Sequence, residues 1–484
     1  MVTPSLSPST ALFVASTGVT WLDHLRVPYE IGGDPGHERL EQLQPAASGP
    51  CLLWPRAGDL ARPTAGRLSG VSAQSPPIFS ALLSDEHARP LLAKLGGVWS
   101  TAGAVTGLAG QHLASVWREE GGSLLLPFDP DETILNVWSE AYTALTIGDA
   151  TRRGKRALMR AYYRARPLLP RNLQIWLRRG FARVQARSTF PAWPVESGLH
   201  DLLDLLLILV ADLAGEPVPH IAAWPDDHTW ALVLTHDVEQ AEGWNALDPV
   251  LELERSHGLR SSFNLVPRRY DVDVTRVQAL IEDGFEVGVH GLYHDGRDLE
   301  SEEMVRKRLP GMRDAAQRWG AVGFRSPATH RGWELMPLLG FDYDSSCPDT
   351  DPFEPQAGGC CSWLPFFDQD MVELPLTLPQ DHTLFAILRH EDESAWVQKA
   401  DFLRARGGLA LIDTHPDYLV DERIMRAYGR FLDRYARDES AWRVLPREVS
   451  AWWRRRAASR LERDHEGWRI VGPAAGDGRI GFTG

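Results

Sequence analysis

From residue 229 to about residue 453 the chain alternates short apolar runs with longer stretches of helical periodicity. The runs WALVLTHDV, SSFNLV, FEVGVHG, AVGFRSP, FDYDSS, VELPLT and LALIDTH read as strands, with helical patterns between several of them. Strands that alternate with helices imply βα units, and hence a parallel sheet or a barrel. The expectation is an α/β fold whose main part is a distorted (β/α) barrel of about seven strands over 229–456. The first 150 residues follow another rhythm. There, ALFVA, PCLLW and SLLLPF are separated by Gly- and Pro-rich turns, which predicts a small α/β domain over 1–150. The most apolar stretch, Leu202 to Leu213, is interrupted by Asp204 and Asp212. It falls far short of the roughly 20 residues of a spanning helix and predicts a buried helix instead. Residues 457–484 turn charged and then Gly-rich, which predicts a flexible tail.

Charge changes the picture in the connector, 151–228. Its first part, Thr151 to Arg187, holds Lys155 and eleven Arg without one Asp or Glu, and Pro167 and Pro170 split it into two helical pieces. Such a basic segment either packs against an acidic remainder or, through residues 152–187, contacts an anionic lipid surface or a phosphorylated substrate. The whole chain has 51 Lys and Arg against 65 Asp and Glu, a net charge of −14, which argues against nucleic acid as a partner. Its four cysteines form neither a disulfide framework nor a four-cysteine zinc pattern, and the adjacent Cys360 and Cys361 read as buried thiols. The opening MVTPSLSPSTALFVASTG lacks the basic n-region of a secretory signal. A cytoplasmic protein, peripheral at the membrane if the basic segment touches lipid, is the expectation.

Candidate chemistry gathers at the C-terminal ends of the strand runs, where a barrel of βα units carries its active site. Asp237 ends ALVLTHD, His290 ends EVGVH, Arg325 ends VGFR, Asp344 lies in FDYDSS and His415 ends LALIDTH. In His290-Gly-Leu-Tyr-His294 a spacing of four puts both imidazoles on one side of a helical turn, where they can chelate one divalent cation, zinc being well suited. LTHDVE offers Asp237 and Glu239 as further ligands.

The ordered set LTHDVE, HGLYH, FRSPA, DYDSS and LIDTHP resembles the polysaccharide deacetylase superfamily of metal-dependent hydrolases, over roughly Ala231 to His415. The first motif of that family carries two adjacent Asp, a general base and then a metal ligand, whereas here Val238 follows Asp237. Two repairs stand open: Glu239, on the same side of an extended strand as Asp237, reaches the metal, or Asp237 is the ligand and Glu239 the base. His236 points to the opposite side and reads as a packed or supporting histidine. The resemblance further implies that His290 and His294 are the metal histidines, that Arg325 orients the catalytic Asp, and that His415 is the general acid. Asp413, two residues before His415, is expected to hold that imidazole protonated, and Asp344 to support the site.

The same resemblance implies a hydrolase that cleaves a carbon–nitrogen bond, with one divalent metal ion, zinc by expectation, and a carbohydrate or glycoconjugate substrate bearing an N-acetyl group. Trp363 and Phe366 are expected to line the sugar groove. Two alternatives differ in kind: a hydrolase of a non-carbohydrate amide, and a degenerate barrel that binds glycans without turnover, motivated by the missing second Asp.

Overall fold

The structure is a computed structural model that describes residues 11–32, 39–46, 49–60, 62–71, 73–146, 171–186 and 189–483. In the helix Arg171–Gln185, side chains are described from residue 178 onward. The chain forms two units, one of residues 1–149, 197–222 and 455–484 and the other of 150–196 and 223–454. Residues 151–170, more than half of the basic segment, lie outside the described residues, and with them much of the expected lipid or phosphate contact.

The first unit is built on a mixed nine-stranded sheet that runs, edge to edge, Tyr29–Ile31, Phe13–Ala15, Leu40–Pro45, Leu52–Pro55, Leu124–Leu125, His112–Glu119, Trp99–Gly107, Thr64–Ser69, Pro77–Ser80. The Leu-rich stretch forms a helix, Gly198–Ala214, with eleven buried residues, and ends on Gly215 in the left-handed region at φ 67°. Among the described residues no helix is long and apolar enough to cross a membrane. The expected tail is corrected by the structure. Arg460–Asp464 and Gly467–Val471 pair as an antiparallel hairpin, and Ile480–Thr483 pairs antiparallel with Val218–Ile221. Strand pairing thus orders these charged residues.

The second unit carries the predicted βα alternation. Its strands are β1 (Trp230–Val238), β2 (Ser262–Leu265), β3 (Glu286–Val289), β4 (Gly323–Phe324), β5 (Tyr343–Asp344), β6 (Phe366–Asp368), β7 (Met371–Glu373), β8 (Leu409–Thr414) and β9 (Ala441–Arg443). They pair in the order β6-β7-β5-β4-β3-β2-β1-β8, with β9 beside the first residues of β1. Every neighbouring pair is parallel except β6 with β7. All nine residues of β1 are buried, as a parallel strand covered on both faces requires.

The sheet curls. Beyond β7, Leu378 N–H donates to Leu411 O and Leu411 N–H to Thr377 Oγ1, which joins this end of the sheet to β8. Helices cover the outer face. Glu422–Tyr435 buries Ile424, Ala427, Tyr428, Phe431, Leu432 and Tyr435, an i, i+3, i+4 stripe, and Asp421 caps it by accepting from Arg423 N–H.

The two expected groove aromatics are core residues. Trp363 is 3% exposed, packs edge-on against Phe402 at 5.2 Å, and belongs to the cluster that also holds Trp230, Leu403 and Ile412. Phe366, 2% exposed, lies 6.0 Å from the Trp333 ring. Rings of this size remove a large apolar area from water when they pack inside.

Candidate metal and proton-transfer site

The alternation of β1 sorts its polar residues. Thr235 and Asp237 face inward, where Arg325 Nη1 donates to Thr235 Oγ1 at 2.9 Å and to Asp237 Oδ1 at 3.1 Å. His236 faces the other way, stacked on Phe263 and held between Thr414 Oγ1 and Glu254. Asp237 lies opposite Asn264 of β2 in the sheet, and Asn264 Nδ2 donates to Asp237 Oδ1 at 2.8 Å. That leaves Asp237 Oδ2, which stands 3.6 Å from His290 Nε2. Burial opposes ionisation of Asp237, but His290, Arg325 and His415 together hold its carboxyl below the usual range.

His290 follows β3. Its Nδ1 lies 3.0 Å from Arg325 O, so Nδ1–H donates to that carbonyl and the Nε2 lone pair is left free. His290 Nε2 is buried without a hydrogen-bond partner, and burial lowers the imidazole pKa to about 4, which keeps it neutral.

The expected helical turn through HGLYH is corrected. Gly291 at φ 64° and His294 at φ 56° are both left-handed, and a Cβ on Gly291 would come within 2.7 Å of Pro327 and closer still to Asp298. The reversal brings the two imidazole rings to 5.0 Å between centroids, so one pair of ligands is gathered by a tight turn where a helix was expected.

Glu239 completes this side. Its Oε1 lies 3.0 Å from His294 Nε2, yet His294 Nε2 has no aligned hydrogen bond. Two donor atoms that approach without a proton aligned between them suit a shared cation. Glu239, His290 and His294 each offer a donor atom within 4.8 Å of the other two. A carboxylate oxygen with two imidazole nitrogens is a set that suits zinc and similar divalent ions, so the residues fit the metal that the family resemblance implies. Burial raises the pKa of Glu239, but His294, His415 and His290 outweigh it and hold the carboxyl well below the usual range.

Arg325 is 1% exposed and organises the interior. Nε donates to Ser345 O and Nη2 to Ser345 Oγ, both at 2.8 Å, while Nη1 also lies 2.8 Å from Asp413 Oδ1. One guanidinium therefore stands between two carboxyl groups. Burial, and then the charge of Asp237, push Asp413 well above the carboxylate range, whereas Asp237 is held below it.

Asp413 shares with a nearer carboxylate the part expected of it at His415. Its Oδ2 is 4.0 Å from His415 Nε2, whereas Asp381 Oδ1 lies 2.6 Å from His415 Nδ1 and Asp381 Oδ2 accepts the His415 backbone N–H at 2.8 Å. Burial would lower the His415 pKa, but Asp381 and Asp413 raise it well above the usual value. Sequence reasoning passed over Asp381. It caps the helical segment His382–Leu388 and stands at no strand end, so the pattern that singled out the other candidates does not reach it.

Asp344 acts at one remove. It accepts from Ser346 N–H and Oγ, both at 2.8 Å, and so holds the turn whose Ser345 grips Arg325. Cys347, Cys360 and Cys361 are buried thiols. In the helix Arg171–Gln185, Arg178 donates to Phe353 O and Arg179 to Ala386 O, both within the second unit.

No family model matches the sequence, and no curated protein matches it. The chain is similar to polysaccharide deacetylases of known structure. One is described as a probable polysaccharide deacetylase from Pseudomonas aeruginosa PAO1, with 17% identity, 51% of this chain and 97% of that chain covered, and a TM-score of 0.41. Another is Puue allantoinase, with 16% identity, 48% and 93% covered, and a TM-score of 0.40. A third is BA3943 from Bacillus anthracis, described as a CE4 family pseudoenzyme, with 15% identity, 41% and 61% covered, and a TM-score of 0.28.

Proposed function

We propose that the second unit is a metal-dependent hydrolase that removes the acyl group from an N-acylated sugar or glycoconjugate. The observation that carries this reading is one adjacency. A cation donor set, Glu239, His290 and His294, stands next to an ionised Asp237 and a protonated His415, with Asp237 Oδ2 3.6 Å from His290 Nε2 and His415 Nε2 3.9 Å from Glu239 Oε1.

A divalent cation held by Glu239, His290 and His294 supplies Lewis acidity toward an acyl oxygen and makes water a better acid. Asp237 is the general base. Asn264 and Arg325 occupy its Oδ1, so Oδ2 is the oxygen free to take the proton of the attacking water. Arg325 keeps that carboxyl ionised and fixes its orientation.

His415 is the general acid. With Nδ1 committed to Asp381, the transferable proton sits on Nε2, on the side of Glu239, and passes to the departing nitrogen as the carbon–nitrogen bond breaks. The products are a free amine and a carboxylate. Of the two repairs of the first motif, this assignment takes Glu239 as ligand and Asp237 as base, and Glu239 then replaces the second Asp whose absence motivated a non-catalytic barrel. The sugar is proposed on the motif resemblance alone.

The test is metal content together with acetate release. The purified chain is expected to hold one divalent ion, to lose it in His290→Ala, and to release acetate from N-acetylated sugars in preference to simple amides. Metal-free protein whose properties do not change in His290→Ala would overturn the reading.

A further inference from the structure

The loop after β2 carries an arginine that the proposed reaction does not use. Arg269 is exposed; its Nη1 donates to His294 O at 3.2 Å and lies 3.4 Å from His294 Nδ1. That nitrogen is across the imidazole ring from Nε2, which faces Glu239. The guanidinium therefore stands at the rim of the candidate metal centre.

Both neighbours of Arg269 are tied down. Arg268 N–H donates to Leu292 O at 3.0 Å, and Tyr270 Oη donates to Val238 O at 2.7 Å while accepting from Val266 N–H. The loop is thus fastened to the two segments that bear His294 and Glu239. Several nearby arginines are matched with acids: Arg255 and Arg260 with Asp283, Arg276 with Asp248, and Arg308 with Asp295 and Asp298. Among the described residues no carboxylate pairs with Arg269, whose hydrogen-bonding neighbours are the carbonyl and ring of His294.

A guanidinium has five N–H donors, and most of those of Arg269 remain for a ligand. Their planar fork fits a carboxylate or phosphate. In the same turn as His294, Tyr293 is 43% exposed, with Arg308 5.1 Å from its ring centroid.

We propose that Arg269 binds an anionic substituent, a carboxylate or phosphate ester, on the substrate. Resting on the hydrolase reading, this narrows the substrate class to acidic N-acylated sugars.

The experiment is calorimetric binding to the zinc-loaded full chain, with N-acetylmuramic acid, N-acetylglucosamine 6-phosphate and neutral N-acetylglucosamine as probes. At least one charged probe is expected to bind about tenfold or more tighter than the neutral one, the scale of a charge-assisted pair. The arm that shows the gain tells carboxylate from phosphate. Arg269→Ala should abolish that gain with zinc affinity unchanged, and Arg269→Lys should restore part of it.

Equal binding of all three probes, or a gain that survives Arg269→Ala, overturns the proposal. So does weakened zinc binding in Arg269→Ala, because the arginine would then act by positioning His294. Binding is read without turnover, so the two readings fail separately. Absent acetate release from every probe counts against the hydrolase, whereas acetate release without a charge preference counts against Arg269 alone.

Discussion

Asp237 and Glu239 are separated by one outward-facing valine, and their surroundings give them different work. Asp237 is gripped on one oxygen by Asn264 and Arg325, while Glu239 reaches His294. Asp237→Asn should therefore retain metal and lose about 10²- to 10⁴-fold in kcat, the range for a lost general base. Glu239→Gln should instead lose metal, as measured by elemental analysis after dialysis. The opposite pattern would exchange the two roles. Asp381 gives a third expectation at this scale. It raises the His415 pKa, and the acid form of His415 is the active one, so activity should fall as pH rises through that pKa. Asp381→Asn should move this alkaline limb of the pH–rate profile to lower pH. A limb that stays where it was would separate Asp381 from the proton transfer.

At the scale of elements, each of the seven apolar runs falls on a strand, even where that strand is only two residues long as in β4 and β5, because apolar runs spaced by helical stretches leave a periodic signature. The strands β6 and β9 lie outside those seven runs and were not anticipated. The site was legible where a strand end presents a polar side chain, as at Asp237, His290, Arg325 and His415. It was illegible where a turn makes the geometry, because the spacing in HGLYH is the same for a helical turn and for the left-handed reversal that forms. Gly291 is the position that decides between them. A Cβ there meets Pro327 and Asp298 and must also adopt φ 64°, so Gly291→Ala should cost about 1–3 kcal/mol in that turn. Weakened zinc binding, read by competition with a chelator, is the expected sign. Unchanged affinity would mean that the turn does not set the His290–His294 pair.

For the whole molecule, the sequence suggested consecutive blocks, while the units interleave along the chain: Val218–Ile221 pairs with Ile480–Thr483 from its far end. Pairing at that separation has no local pattern to reveal it, and the charge of residues 457–484 masked the alternation of the hairpin within them. One buried acid, by contrast, ties the stability of the fold to pH. Glu286 of β3 accepts from Tyr343 Oη at 2.7 Å and from Arg447 N–H at 3.1 Å, and burial raises its pKa to about 7 in spite of both. Between an unfolded value near 4.5 and the folded value near 7, the native chain holds a proton that the unfolded chain has released. This contribution is therefore complete below about pH 4.5, declines as pH rises and is lost above about pH 7, for a total of up to about 3 kcal/mol. Glu286→Gln removes the titration but offers one acceptor oxygen where the carboxyl offers two. It should cost about 1 kcal/mol near pH 5 and flatten the decline between pH 5 and 7, as followed by chemical denaturation at each pH. A decline of unchanged slope in the variant would assign the pH dependence to other groups.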